Sequence, residues 1–84
     1  MTLGTVKGNI VSTRKCDNLV GFRLLLVESY YQKHHIFVAA DTVGAGVGEL
    51  VLVTTNSSAQ YALDSAAPID ALIVGIVDAP PQEF

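Results

Sequence analysis

Three glycines, Gly44, Gly46 and Gly48, alternate with small apolar residues in the stretch DTVGAGVGELVLV, residues 41–53. Glycine-rich turns let backbone N–H groups close on a phosphate, so nucleotide chemistry is the first thing to test here. A Walker loop needs a lysine followed by serine or threonine after its last glycine, because the ammonium reaches the phosphates. Glu49 and Leu50 stand there instead. A dinucleotide fingerprint is G-x-G-x-x-G and opens a helix. This loop is G-x-G-x-G and opens LVLVT, which reads as a strand. Asp41 and Glu49 add negative charge on either side. The residues therefore point away from phosphate and toward a turn that needs positive φ or close approach of another backbone.

The remaining chemistry-bearing residues are scattered. His34 and His35 are adjacent. Neighbours in a strand point to opposite faces, so they could share one metal only in a loop. No ligand set with metal spacing lies beside them, and an exposed loop between the second and third strands is expected. Cys16 is the only cysteine, which excludes an internal disulfide. As a nucleophile it would need a histidine close in space. Asp17-Asn18 follow it, so a small side chain in a turn is the simpler account. Asp41, Glu49, Asp64, Asp70 and Asp78 fall mostly at the ends of expected elements, where carboxylates cap and make turns. No catalytic constellation emerges, and no cofactor or metal site is expected.

The elements that carry these residues read as short strands. In LGTVKGNIVST (residues 3–13), Val6, Gly8 and Ile10 alternate with Thr5, Lys7 and Asn9, the period of a half-buried strand. FRLLLVESY (22–30) runs from Leu24 to Val27 without a polar break, so both of its faces should be covered. IFVAA (36–40), LVLVT (50–54) and LIVGIV (72–77) complete five β-segments. Between the fourth and fifth, Ser57 and Gln60 have capping-box spacing and predict a short helix from about Ser58 to Leu63. Pro68 ends that segment. The expected fold is all-β, a small five-stranded OB-like barrel over residues 1–78, with an extended tail at 79–84.

Composition narrows the use of such a barrel. The chain has 84 residues, 50% of them hydrophobic and only 15% charged. A domain this small cannot hide that much apolar surface inside itself, so burial against partner subunits is expected. The net charge is −3, and the five basic residues all lie at or before Lys33. That argues against nucleic acid, whose binding draws on clustered Lys and Arg. No stretch has the length of a signal-peptide core or a membrane span, and a cytoplasmic protein is expected. Two uses stay open on these grounds: a structural oligomer, or an OB-like binding module for a small ligand or oligonucleotide. The second would need an aromatic platform beside basic residues. Tyr30, Tyr31, Tyr61, Phe22, Phe37 and Phe84 are not interleaved with such a cluster.

NIVSTRK (9–15), LVGFRLLLVE (19–28), VAADTVGAGVGELVLVT (38–54), NSSAQ (56–60) and PIDALIVGIVD (68–78) occur in this order. Together they resemble the EutN/CcmL family, the vertex proteins of bacterial microcompartment shells. The resemblance spans nearly the whole chain. It implies an OB-like barrel that forms homopentamers at the fivefold corners of a polyhedral shell, beside hexameric facet proteins, and performs no chemistry. By the same resemblance Asp41, Gly44, Ala45, Gly46, Val47, Gly48 and Glu49 form a subunit contact. Asn56, Ser57 and Ser58 would lie near an axial pore. The sequence departs from the family pattern where Asn56 replaces glycine, Gln60 replaces arginine and Leu50 replaces tryptophan. The loop at Tyr31–His35 is short.

Overall fold

A computed structural model describes residues 1–12, 14–55, 59 and 69–82. Five strands form a closed barrel: β1 (Thr2–Ile10), β2 (Arg23–Ser29), β3 (Ile36–Asp41), β4 (Leu50–Thr55) and β5 (Ala71–Val77). Their order around the wall is β1-β2-β3-β5-β4. Neighbours pair antiparallel except β3 and β5, which are parallel. That seam is short, with Ala40 opposite Leu72 and Asp41 opposite Ile73. The expected barrel is thus present, with strand limits within a few residues of those read from the sequence.

The alternation of β1 explains its place. Gly4 and Val6 face inward and are buried, while Lys7 and Asn9 face water. The pairing with β2 shifts register between Val6 and Gly8, a bulge that lets one strand serve two neighbours in a strongly bent wall. Gly4 is needed for a different reason. A Cβ there would overlap Val27 Cγ1 and sit 2.9 Å from the Glu28 carbonyl oxygen. The two strands approach too closely for any side chain.

Inside the barrel, Val6, Leu25, Val27, Ala39, Val51, Val53, Ala71 and Ile73 pack as one core. Short and β-branched residues dominate because a five-stranded barrel has a narrow interior. A second cluster lies on the outside of the wall, where Ala40 and Leu72 meet Ala59 and Ile69, flanked by Leu19, Phe22, Leu24 and Val74. This covers part of the outer face of β2, as its unbroken apolar run predicts. A 3-10 helix at Asp17–Leu19 leads into β2 and delivers Leu19 and Phe22 to that cluster. It occupies the turn expected at Asp17-Asn18. The helix expected from Ser58 to Leu63 lies outside the described residues, except Ala59, which has helical backbone and is buried.

Candidate functional site: the loop between β3 and β4

The β2–β3 hairpin sets Arg23 directly opposite Asp41. Arg23 Nη1 donates to Asp41 Oδ2 at 2.8 Å, and the Asp41 side chain is completely buried. Asp41 then organises the chain that follows it. The Val43 N–H donates to Oδ1 at 3.0 Å and the Ala45 N–H to Oδ2 at 2.9 Å. The Gly44 N–H reaches both oxygens at 3.2 Å. An ionised carboxylate that accepts several donors makes stronger bonds than a neutral acceptor.

The second half of the loop is closed by Glu49. Its Oε1 accepts the Gly46 N–H at 2.6 Å, while its own N–H donates to the Gly46 carbonyl at 3.1 Å. The Gly48 N–H donates to the Val6 carbonyl at 2.8 Å, and the Val6 N–H to the Glu49 carbonyl at 3.0 Å, which stitches the loop to β1. Ala45 drops into the core and plugs the end of the barrel. Gly44 and Gly48 have φ of 88° and 91°, the left-handed region that favours glycine. Gly46 has ordinary φ and its Cα faces open space apart from Glu49 Oε1.

This geometry answers the phosphate question. The backbone donors of residues 43–46 form an anion cradle, and the chain's own Asp41 and Glu49 fill it. Outward the loop presents two valines, Val43, which is half-exposed, and Val47, which is 62% exposed, beside the exposed Thr42 and Glu49. Beside it, a groove of about 430 Å³ is lined by Tyr30, Leu50, Val77 and Pro80 among others.

The other residues singled out in the sequence do not join this loop. His34 and His35 sit in an exposed turn between β2 and β3. The His34 N–H donates to Glu28 Oε2 at 3.1 Å, and the His35 ring lies 5.9 Å from that of Phe37. Cys16 is exposed. Asp70 and Asp78 are exposed at the two ends of β5. Among the described residues, no three His, Cys, Asp or Glu side chains converge as a metal site would require. Asp64, Asn56, Ser57 and Ser58 lie outside the described residues. Arg23 went unremarked in the sequence, although its signal was available. A hairpin folded about residue 32 pairs position 23 with position 41, and the two residues carry opposite charge.

A small closed barrel with a self-satisfied glycine loop defines a structural class, and comparison with known proteins narrows it. The family described as ethanolamine utilisation protein EutN/carboxysome matches residues 1–78, and this chain belongs to it. It is 43% identical over 83 residues to the carboxysome shell vertex protein CcmL of Synechocystis, covering 93% of this chain and 83% of that one. It is 45% identical to the bacterial microcompartment shell vertex protein GrpN of Rhodospirillum rubrum, covering 93% of each. Among solved structures, the GrpN pentameric microcompartment shell protein from Rhodospirillum rubrum superposes with a TM-score of 0.88 at 41% identity. That match covers 99% of this chain and 100% of the other. Gloeobacter violaceus CcmL superposes with a TM-score of 0.90 at 35% identity, covering 99% and 91%.

Proposed function

We infer that this chain is a structural shell protein and not an enzyme: it forms homopentamers that cap the fivefold vertices of a bacterial microcompartment in the cytoplasm. The observation that carries this is the end-to-end match, in sequence and in backbone, to vertex proteins that include a pentameric one. The flat facets that meet at such a vertex are the second partner, and we assign them to hexameric shell proteins.

The glycine loop, Asp41 to Glu49, is the part of this surface best suited to a subunit contact. Its backbone donors at residues 43–46 are already satisfied, so bringing it against a neighbour leaves none of those groups stranded. Asp41 is walled in by its own loop and acts by shaping it, while Val43 and Val47 make the contact. Glu49 likewise works within the loop.

Light scattering on the purified chain tests the assembly. The expected mass is five times 8.9 kDa, about 45 kDa. A stable 8.9 kDa species at micromolar concentration would sink the vertex role.

A further inference from the structure

The two ends of the barrel differ. At one end Ala45 sits in the core and closes the mouth. At the other, β1, β3 and β5 begin while β2 and β4 finish. A cavity of about 460 Å³ lies there, and every strand contributes to it: Thr2 from β1, Ser29 from β2, Phe37 from β3, Thr55 from β4 and Ala71 from β5. Gln32 and His35 of the β2–β3 turn stand around it, with Asp70 just ahead of β5. Barrel mouths are a preferred place for small-molecule sites, which range from about 300 to 1,000 Å³.

The polar side chains of this cavity have no use within the protein. Elsewhere the chain pairs its charges with itself: Arg23 with Asp41, Lys7 with Glu28, and Glu49 with its own loop. Around the cavity the Thr2, Ser29 and Thr55 hydroxyls, the Gln32 amide, the His35 imidazole and the Asp70 carboxylate make no hydrogen bond or ion pair with any described residue. The His35 ring lies 5.9 Å from that of Phe37, which sets an aromatic surface beside these groups.

Donor and acceptor capacity selects the ligand. The described lining holds one carboxylate and neither Lys nor Arg, so an anion is disfavoured. An ammonium would suit Asp70, but it only donates and leaves the amide and hydroxyl hydrogens unmatched. A lone carbonyl only accepts and leaves Asp70 unmatched. A hydroxyl donates and accepts at one atom, which matches the three hydroxyls, Gln32 and a neutral His35. Phe37, Val38 and Ala71 make the rest of the lining apolar, which suits the C–H face of a ring.

We propose that this barrel mouth binds a small uncharged polyol of about the size of a pyranose sugar. Its hydroxyls meet Thr55, Gln32 and Asp70, and its carbon face lies on Phe37. The site is at the opposite end of the barrel from Ala45, and it adds a ligand to a chain whose shell role calls for none.

Three sugars of one shape and different charge test it on the assembled, isotope-labelled chain: D-glucose, D-glucuronate and D-glucosamine, followed by backbone amide chemical shifts. Glucose is expected to shift the Ser29, Phe37 and Thr55 amides saturably and leave those of Gly44 to Glu49 in place. Glucuronate is expected to bind several-fold more weakly, and Asp70→Asn to narrow that gap. Thr55→Val keeps the side-chain shape and removes the hydroxyl, so it should weaken glucose binding roughly two- to tenfold. Gln32→Leu, in the exposed turn, gives the same reading should the strand variant fail to fold. The absence of saturable shifts at glucose concentrations on the order of 100 mM overturns the site. So do shifts centred on the glycine loop, or parent-like binding in both variants. Glucuronate binding as tightly as glucose overturns the choice of an uncharged ligand, and glucosamine binding more tightly than glucose makes the cavity an amine site. None of these outcomes bears on the pentamer, which is tested by mass.

Discussion

Asp41 is one carboxylate with four donors: a guanidinium and three successive backbone N–H groups. Asp41→Ala leaves those loop donors without their acceptor, the Ala45 N–H in a buried place and the Val43 and Gly44 N–H groups in a part-buried one, and takes the partner from Arg23. Bonds to a charged acceptor contribute about 1.5–3 kcal/mol each, but some donors will find water after the change, so a net loss of roughly 3 kcal/mol is expected in urea denaturation. Arg23 is half-exposed, and Arg23→Met should cost much less, about 1 kcal/mol or under. Gly4 makes a different kind of demand. Gly4→Ala pushes a methyl into Val27 and the Glu28 carbonyl, an overpacking worth about 1–3 kcal/mol. A drop of roughly 5–15 °C in melting temperature, compared at matched protein concentration, would register it. Neither role was fully legible in the sequence. Asp41 could be assigned to turn chemistry from its type and place, but its burial depends on a register with β2 that sequence spacing only suggests. Gly4 gives no local sign at all, because its constraint comes from a strand twenty-three residues away.

At the scale of elements, the strands were the most legible part. Val6 alternating with Lys7, and the unbroken Leu24–Val27 run, fix which positions face the core, since the side-chain period of a strand leaves little freedom. Closure of the barrel was less legible. It depends on a parallel seam of two residue pairs between β3 and β5, and no local pattern announces it. The loop joining β3 to β4 behaves as an element too, held at both ends and by Ala45 in the middle. Gly46 is the place to test it without disturbing the barrel. Its φ is ordinary and an added Cβ meets only Glu49 Oε1, at 3.4 Å. Gly46→Arg should therefore keep a cooperative unfolding transition near that of the parent while losing the pentamer in light scattering. If that variant still forms normal pentamers, the loop is not a subunit contact.

For the whole molecule, surface area carries the argument. A compact monomer of 8.9 kDa exposes about 4,800 Å², whereas this chain alone exposes 5586 Å². The chain is elongated, 44 × 25 × 21 Å, which by itself raises its area above that of a compact sphere, and exposed apolar side chains such as Val47 and Ile36 are part of that surface. The surplus was visible in composition, as 50% hydrophobic residues against 15% charged. Composition says that something must be covered and is silent on where. The structure places several of the uncovered residues, among them Val43 and Val47 in the β3–β4 loop and Ile36 and Val38 on β3.

The filled cradle of the β3–β4 loop has one more consequence. A loop of the same backbone that borrowed its anion from solution would change shape as phosphate rose and fell around it, and would be a sensor. Here the counter-anion is covalently part of the chain, present once per copy and unable to diffuse away. The fold of this loop therefore calls for no anion supplied from either side of the wall.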